Sequence, residues 1–262
     1  MKQHLYNSLL IGMGALALFQ SVTVKAEISG NRYGNPVLYK SEISSAEAWE
    51  LTKNNKSTNG KLKPLILDVR RVEEYVKGHP PGALSIPFPH VHKSPTKADD
   101  NSSGYIGYDI SEDPIDVGFQ TAPNFNDGVI PIQEFTDYVE SVVPDKKTPL
   151  YLVCATGFRS VQAGNALAKA GYSEVRNVWE GWNGLPKFTQ TRAGLPEFKI
   201  NEQTGAIEFT KLDLNHDGKI DVNDNDGWAF YQGLPVETAF KKKLVDQRFL
   251  DLYQDELDKL TP

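Results

Sequence analysis

The feature that most narrows the fold is the join between Leu150-Tyr151-Leu152-Val153 and Cys154-Ala155-Thr156-Gly157-Phe158-Arg159-Ser160. Four consecutive apolar residues read as a strand buried on both faces, the kind found in parallel sheets. From Val161 the spacing of Ala163, Leu167 and Ala170, closed by Gly171, reads as a helix. The strand therefore delivers Cys154, the chain's only cysteine, to a tight loop at a helix start.

The rest of the chain repeats that alternation. Ser44 and Glu47 are spaced as a capping box and open a helix through Leu51. Pro64 to Arg70 is a second apolar run ending in polar groups, and Val175–Val178 a third strand. Glu73-Glu74-Tyr75 suggests a short helix, and Gly82 to Pro87 a short strand. Ile132 to Val143 has helical spacing, with Ile132, Phe135, Tyr138 and Val142 on one side. Strands alternating with helices predict an α/β fold: a parallel sheet flanked by helices. Residues 90–128 are rich in Asp, Asn, Ser, Gly and Pro without periodicity, a loop whose length points to a functional role or disorder. Residues 184–212 are mixed, and Phe240 to Leu260 reads as an amphipathic helix.

The N-terminus has a basic start at Lys2, an apolar run from Leu9 to Phe19 and small residues before Ala26. This is the pattern of a secretory signal, with cleavage expected after Ala26 and a periplasmic or secreted product. The run is shorter than the roughly 20 apolar residues of a membrane span, so no membrane association is expected after cleavage. Cleavage removes Lys2 and Lys25, leaving 26 basic against 34 acidic side chains, net −8. No dense basic patch remains, which argues against nucleic acid and anionic lipid as partners.

One cysteine forms no internal disulfide, and a lone thiol in an oxidising compartment is a liability unless its reactivity is used. The loop supplies reasons for reactivity. Amides at a helix start and the helix dipole favour an anion, and Arg159 adds a cation on the same rim. Gly157 lets the backbone curl so that several amides face one point. Cys154 is thus the candidate nucleophile, in a cradle made by Ala155, Thr156, Gly157, Phe158, Arg159 and Ser160.

These segments resemble a rhodanese domain in order and spacing. Leu65 to Arg70, Gly78-His79-Pro80-Pro81-Gly82-Ala83, Cys154 to Ser160, Gly171-Tyr172 and Val175 to Trp182 carry the resemblance, over about residues 38–185. It implies sulfurtransferase activity of the thiosulfate type. Cys154 would take sulfane sulfur from a small donor such as thiosulfate as a persulfide and pass it to cyanide or a thiol, a protein thiol included. It implies anion binding for Arg159, an orienting role for Asp68 toward Arg159 or the loop, and a structural role for His79. Arg70, taken as an exposed cation near the strand end, is a candidate substrate contact. Three departures stand out: Pro80 in place of the usual isoleucine, Glu180-Gly181 in place of paired glycines, and Phe158 inside the loop. Two other readings stay open: a binding module without turnover, and a phosphatase or arsenate reductase of the same fold. The latter place five residues between cysteine and arginine, where this chain has Ala155, Thr156, Gly157 and Phe158 only.

Asp213 to Asp224 resembles an EF-hand or dockerin-type calcium loop. Asp213, Asn215, Asp217, the Lys219 carbonyl, Asp221 and Asp224 would hold Ca2+, with Gly218 at the sharp turn. Structural calcium is therefore expected, and no organic cofactor. The expected division is a signal at 1–26, a catalytic domain at 27–185 containing the 90–128 loop, and an extension at 186–262. The extension carries the calcium loop 213–224 and the C-terminal helix. Gly227-Trp228 and Gly233-Leu234-Pro235-Val236 look like a rhodanese domain's end, which would make 183–226 an insertion.

Overall fold

The computed structural model describes residues 32, 37–53, 62–92, 130–190 and 197–261. The signal expected at 1–26 and most of the 90–128 loop lie outside them. Among the described residues no helix is long and apolar enough to cross a membrane.

Five parallel strands form the central sheet: β1 (Ser41–Ile43), β2 (Leu65–Asp68), β3 (Leu84–Ser85), β4 (Leu150–Val153) and β5 (Val175–Val178). Their order is β1-β5-β4-β2-β3, which puts the uniformly buried β4 at the centre. Burial on both faces is why its sequence is an unbroken apolar run. Helices α1 (Ser45–Thr52), α2 (Val72–Tyr75), α3 (Ile132–Val142) and α4 (Arg159–Lys169) connect the strands. Ser44 caps α1 as its spacing predicts, its Oγ accepting from the Glu47 amide at 3.2 Å. On α3 the buried positions are Phe135, Thr136 and Val139, while Val142 is exposed. The apolar stripe is therefore turned about one residue from the expected one.

The C-terminal third departs most from expectation. An antiparallel hairpin, β6 (Phe198–Ile200) with β7 (Ile207–Phe209), occupies the stretch read as mixed. The last helix, α5 (Leu250–Leu260), begins ten residues later than Phe240. Val245 instead bridges Ser85 of β3, and the Asp246 amide donates to the Ser85 carbonyl at 2.9 Å, so the chain pairs with the sheet edge between two short 3-10 turns, Lys242–Leu244 and Gln247–Phe249.

This tail is not peripheral. Trp228, Val245 and Tyr253 belong to the same buried cluster as β4 and α4. Tyr253 Oη lies 2.7 Å from Ser85 Oγ, and His79 and Glu237 exchange two backbone hydrogen bonds of 2.9 Å. The chain also closes on itself around residue 184. The Trp228 amide donates to the Gly181 carbonyl and the Ala229 amide to the Trp182 carbonyl. A side chain at Gly184 would come within 2.0 Å of the Gly227 amide nitrogen. Residues 181–186 thus run against 225–229, so the segment carrying the hairpin and the acidic loop leaves and returns at one junction, the arrangement that an insertion at 183–226 would require.

Candidate functional site

The cysteine loop is held from the β5 side. Trp182 and Asn183 amides donate to the carbonyls of Cys154 and Ala155, both at 2.7 Å. Gly157 has φ +87°, and a Cβ there would meet the Trp179 carbonyl oxygen at 2.2 Å. Only glycine fits both the conformation and the space. Gly157→Ala is expected to cost about 2–3 kcal/mol of stability through strain and overpacking. Urea unfolding monitored by circular dichroism reads that loss.

Within the loop Cys154 is 1% exposed, and the Ser160 hydroxyl donates to its Sγ at 3.3 Å. The amides of Ala155, Gly157 and Ser160 have no acceptor among the described residues. Thr156 and Phe158 complete the turn and are partly exposed. A sulfur atom with a hydroxyl donor beside it, in a loop with three amides that lack an acceptor and at the start of an eleven-residue helix, suits an anion.

The charged residues are arranged otherwise than the sequence suggests. Arg159 does not face the cradle as a loose cation: its Nη1 and Nη2 both donate to the Glu74 carboxylate at 2.8 Å. Burial alone would push the Glu74 carboxyl up. Arg159 first, then Arg71 and Arg70, outweigh it and hold the group well below the usual carboxylate range. Asp68 does not orient Arg159; it takes the guanidinium of Arg70, with Nη2 at 2.7 Å and Nε at 3.0 Å. Arg70 is not exposed. It is 2% accessible, lies 4.3 Å over the Trp182 ring, and donates to the Gly78 carbonyl at 2.7 Å. The turn after β2 folds the side chain inward, so Arg70 braces the turn and is not the exposed cation expected. His79 is structural as expected, its Nδ1 3.1 Å from the Tyr75 carbonyl and its ring stacked on Tyr75.

Two supports escaped sequence reasoning. Asn177 donates through Nδ2 to the Gly157 carbonyl at 3.2 Å and to Glu42 Oε2 at 2.8 Å, tying the loop to β1. Burial pushes the Glu42 carboxyl up to about 7, against hydrogen bonds from Tyr39 and Asn177 and the charge of Arg32. The folded state therefore binds this proton more tightly than the unfolded chain does. Its contribution is full below the unfolded value of 4.5 and is lost as pH rises through about 7. Glu42→Gln is expected to flatten the fall in melting temperature between these values and to leave the variant the more stable protein at pH 8. Thermal scans across that range check it.

The acidic loop is closed by its own amides. Gly218 donates to Asp213 Oδ2, Lys219 to Asp217 Oδ1 and Asp221 to Asp224 Oδ2, each at 2.8 Å. The Asp221 amide first, with those of Asn215 and Leu214, holds the Asp224 carboxyl below its ordinary range. Gly218 takes φ +83° as the motif requires, and Asp213 Oδ1 is buried without a hydrogen-bond partner. Among the described residues, however, no group of three or more His, Cys, Asp or Glu side chains is gathered closely enough to hold a metal ion.

Residues 46–186 match the family model described as a rhodanese-like domain. Among solved structures the chain is similar to the solution NMR structure of a rhodanese-like domain from Anabaena sp., at 18% identity. That likeness covers 53% of this chain and 68% of the other, with a TM-score of 0.31. No curated protein matches the chain.

Proposed function

Because this chain belongs to the rhodanese-like domain family, we propose that it is a sulfurtransferase whose nucleophile is Cys154. The observation that carries the reading is the loop itself: Cys154 at the end of the central strand, a hydroxyl on its sulfur, and the Ala155, Gly157 and Ser160 amides without acceptors among the described residues. In the proposed cycle the Cys154 thiolate attacks the outer sulfur of thiosulfate. The sulfur–sulfur bond of the donor breaks, sulfite leaves with the electron pair, and Cys154 carries a persulfide anion. Cyanide then attacks the terminal sulfur, thiocyanate departs, and the thiolate is restored. The free amides would hold the persulfide charge. Arg159 would act at one remove, fixing the start of α4 through Glu74. The test is incubation of the intact chain with thiosulfate followed by mass spectrometry, where a persulfide on Cys154 supports the reading.

A second reading, a binding module that keeps the fold without turnover, is favoured by one observation, the 1% exposure of Cys154. It predicts no persulfide from any donor. Phosphatase or arsenate reductase chemistry is disfavoured because the loop arginine is engaged with Glu74.

Export to the periplasm or medium is part of the proposal and rests on the N-terminal pattern; detection of a chain beginning after Ala26 in the exported fraction checks it. Calcium at Asp213, Asn215, Asp217, Lys219, Asp221 and Asp224 is proposed from their spacing. Calorimetric titration of the full chain with calcium is expected to show one site of stoichiometry, abolished in Asp217→Ala; an absence of heat removes calcium from the account.

A further inference from the structure

The inserted segment meets the catalytic domain along a cleft of about 1050 Å³. Trp179 and Arg32 form its inner wall, and Leu185, Lys187, Phe188 and Leu212 line the inserted side. Trp179 is also the residue whose carbonyl oxygen packs against Gly157 of the cysteine loop. Trp179 therefore borders both the cleft and the cysteine loop, and the cleft reaches past the end of the 46–186 family match to Lys187, Phe188 and Leu212.

Two cations stand over the Trp179 ring, Arg32 at 4.8 Å and Lys187 at 5.8 Å. Arg32 gives its Nη2 to Asp226 at 2.9 Å, but its Nη1 is buried without an acceptor among the described residues. Lys187 is exposed and forms no ion pair within 4 Å among the described residues, and Glu197 lines the same cleft. A buried guanidinium nitrogen left unpaired is costly, and a carboxylate would satisfy it. Indole, phenyl and leucine surfaces beside the two cations suit an apolar stem.

We propose that this cleft binds an apolar ligand bearing a carboxylate, and that it selects the acceptor thiol for the Cys154 persulfide. The second half rests on the sulfurtransferase reading; the first does not. In the transfer step the acceptor thiolate attacks the outer persulfide sulfur, a new sulfur–sulfur bond forms on the acceptor, and Cys154 leaves as thiolate.

The experiment uses two acceptors with one stem, 6-mercaptohexanoate and 6-mercaptohexanol, on thiosulfate-loaded full-length protein. The carboxylate thiol is expected to show a KM about tenfold lower, the worth of one charge-assisted hydrogen bond. Lys187→Gln is expected to remove most of that preference and Lys187→Glu to reverse it. In parallel, calorimetry on the Cys154→Ser chain compares hexanoate with hexanol, and tighter hexanoate binding that Lys187→Gln weakens is expected. Equal KM values together with equal heats overturn the inference. If no sulfur is transferred yet hexanoate binds in the Lys187-dependent way, the cleft stands as a carboxylate site, and the acceptor role falls along with the enzymatic reading.

Discussion

Replacing Cys154 by serine is expected to abolish sulfur transfer while leaving the fold intact. The substitution changes one buried atom for a slightly smaller one, beside a Ser160 hydroxyl that can hydrogen-bond oxygen as readily as sulfur. Stability should move by less than about 1.5 kcal/mol, as for near-isosteric core exchanges. Activity should fall on the order of 10⁴-fold or more, because removal of a covalent nucleophile eliminates the step it performs. Thiosulfate–cyanide turnover and a urea unfolding curve on the same preparation separate the two effects. A variant that unfolds more easily and also loses activity would not identify the nucleophile, so Cys154→Ala serves as a second probe of the same position.

Asp68→Ala should give the largest loss of stability. Asp68 is fully buried at the end of β2 and accepts from the Arg70 backbone amide as well as from Nε and Nη2 of its guanidinium. Removing the carboxylate leaves a nearly inaccessible cation against Trp182 and the Gly78 carbonyl. Breaking a buried pair from one side costs about 3–5 kcal/mol, most of it from the charge left behind. The double variant Asp68→Ala with Arg70→Met should therefore lose less than the sum of the singles. Additive losses would mean that the pair is not coupled as the geometry indicates.

Much of the sheet was legible because its signals are local. Leu65 to Leu67 and Leu150 to Val153 are apolar runs that a parallel sheet buries on both faces, Val175 and Val178 bracket a shorter strand, and Ser44 caps α1 from a position visible in the sequence. The Cys154 loop was legible for the same reason: strand, turn glycine and helix are contiguous. What escaped was non-local. Arg159 and Glu74 are 85 residues apart, and nothing in either neighbourhood announces the other. A charge after a strand usually meets solvent, but Asp68 and the face of Trp182, 112 positions away in the chain, cover Arg70. Amphipathic spacing runs back to Phe240, but the last helix starts only at Leu250 because Val245 is held by Ser85 at the sheet edge. The β6–β7 hairpin is different. Phe198-Lys199-Ile200 and Ile207-Glu208-Phe209 alternate with period two around Gly205, a strand signal that is local and legible.

The burial of Cys154 sharpens the mechanism. With 1% of its surface exposed, the thiol cannot meet a bulky reagent without movement of the rim, whereas a compact donor needs a smaller opening. Access and reactivity are then separate properties of one residue, and the first is set by the packing of the loop against Trp179 and Trp182.

The most direct measurement of the central claim is the mass of the native, full-length chain after exposure to thiosulfate, with peptide mapping of the modified residue. The account predicts the gain of a single sulfur atom on Cys154, removed by cyanide with release of thiocyanate. An unchanged mass in folded protein, from a preparation whose thiol titrates fully once denatured, would contradict it.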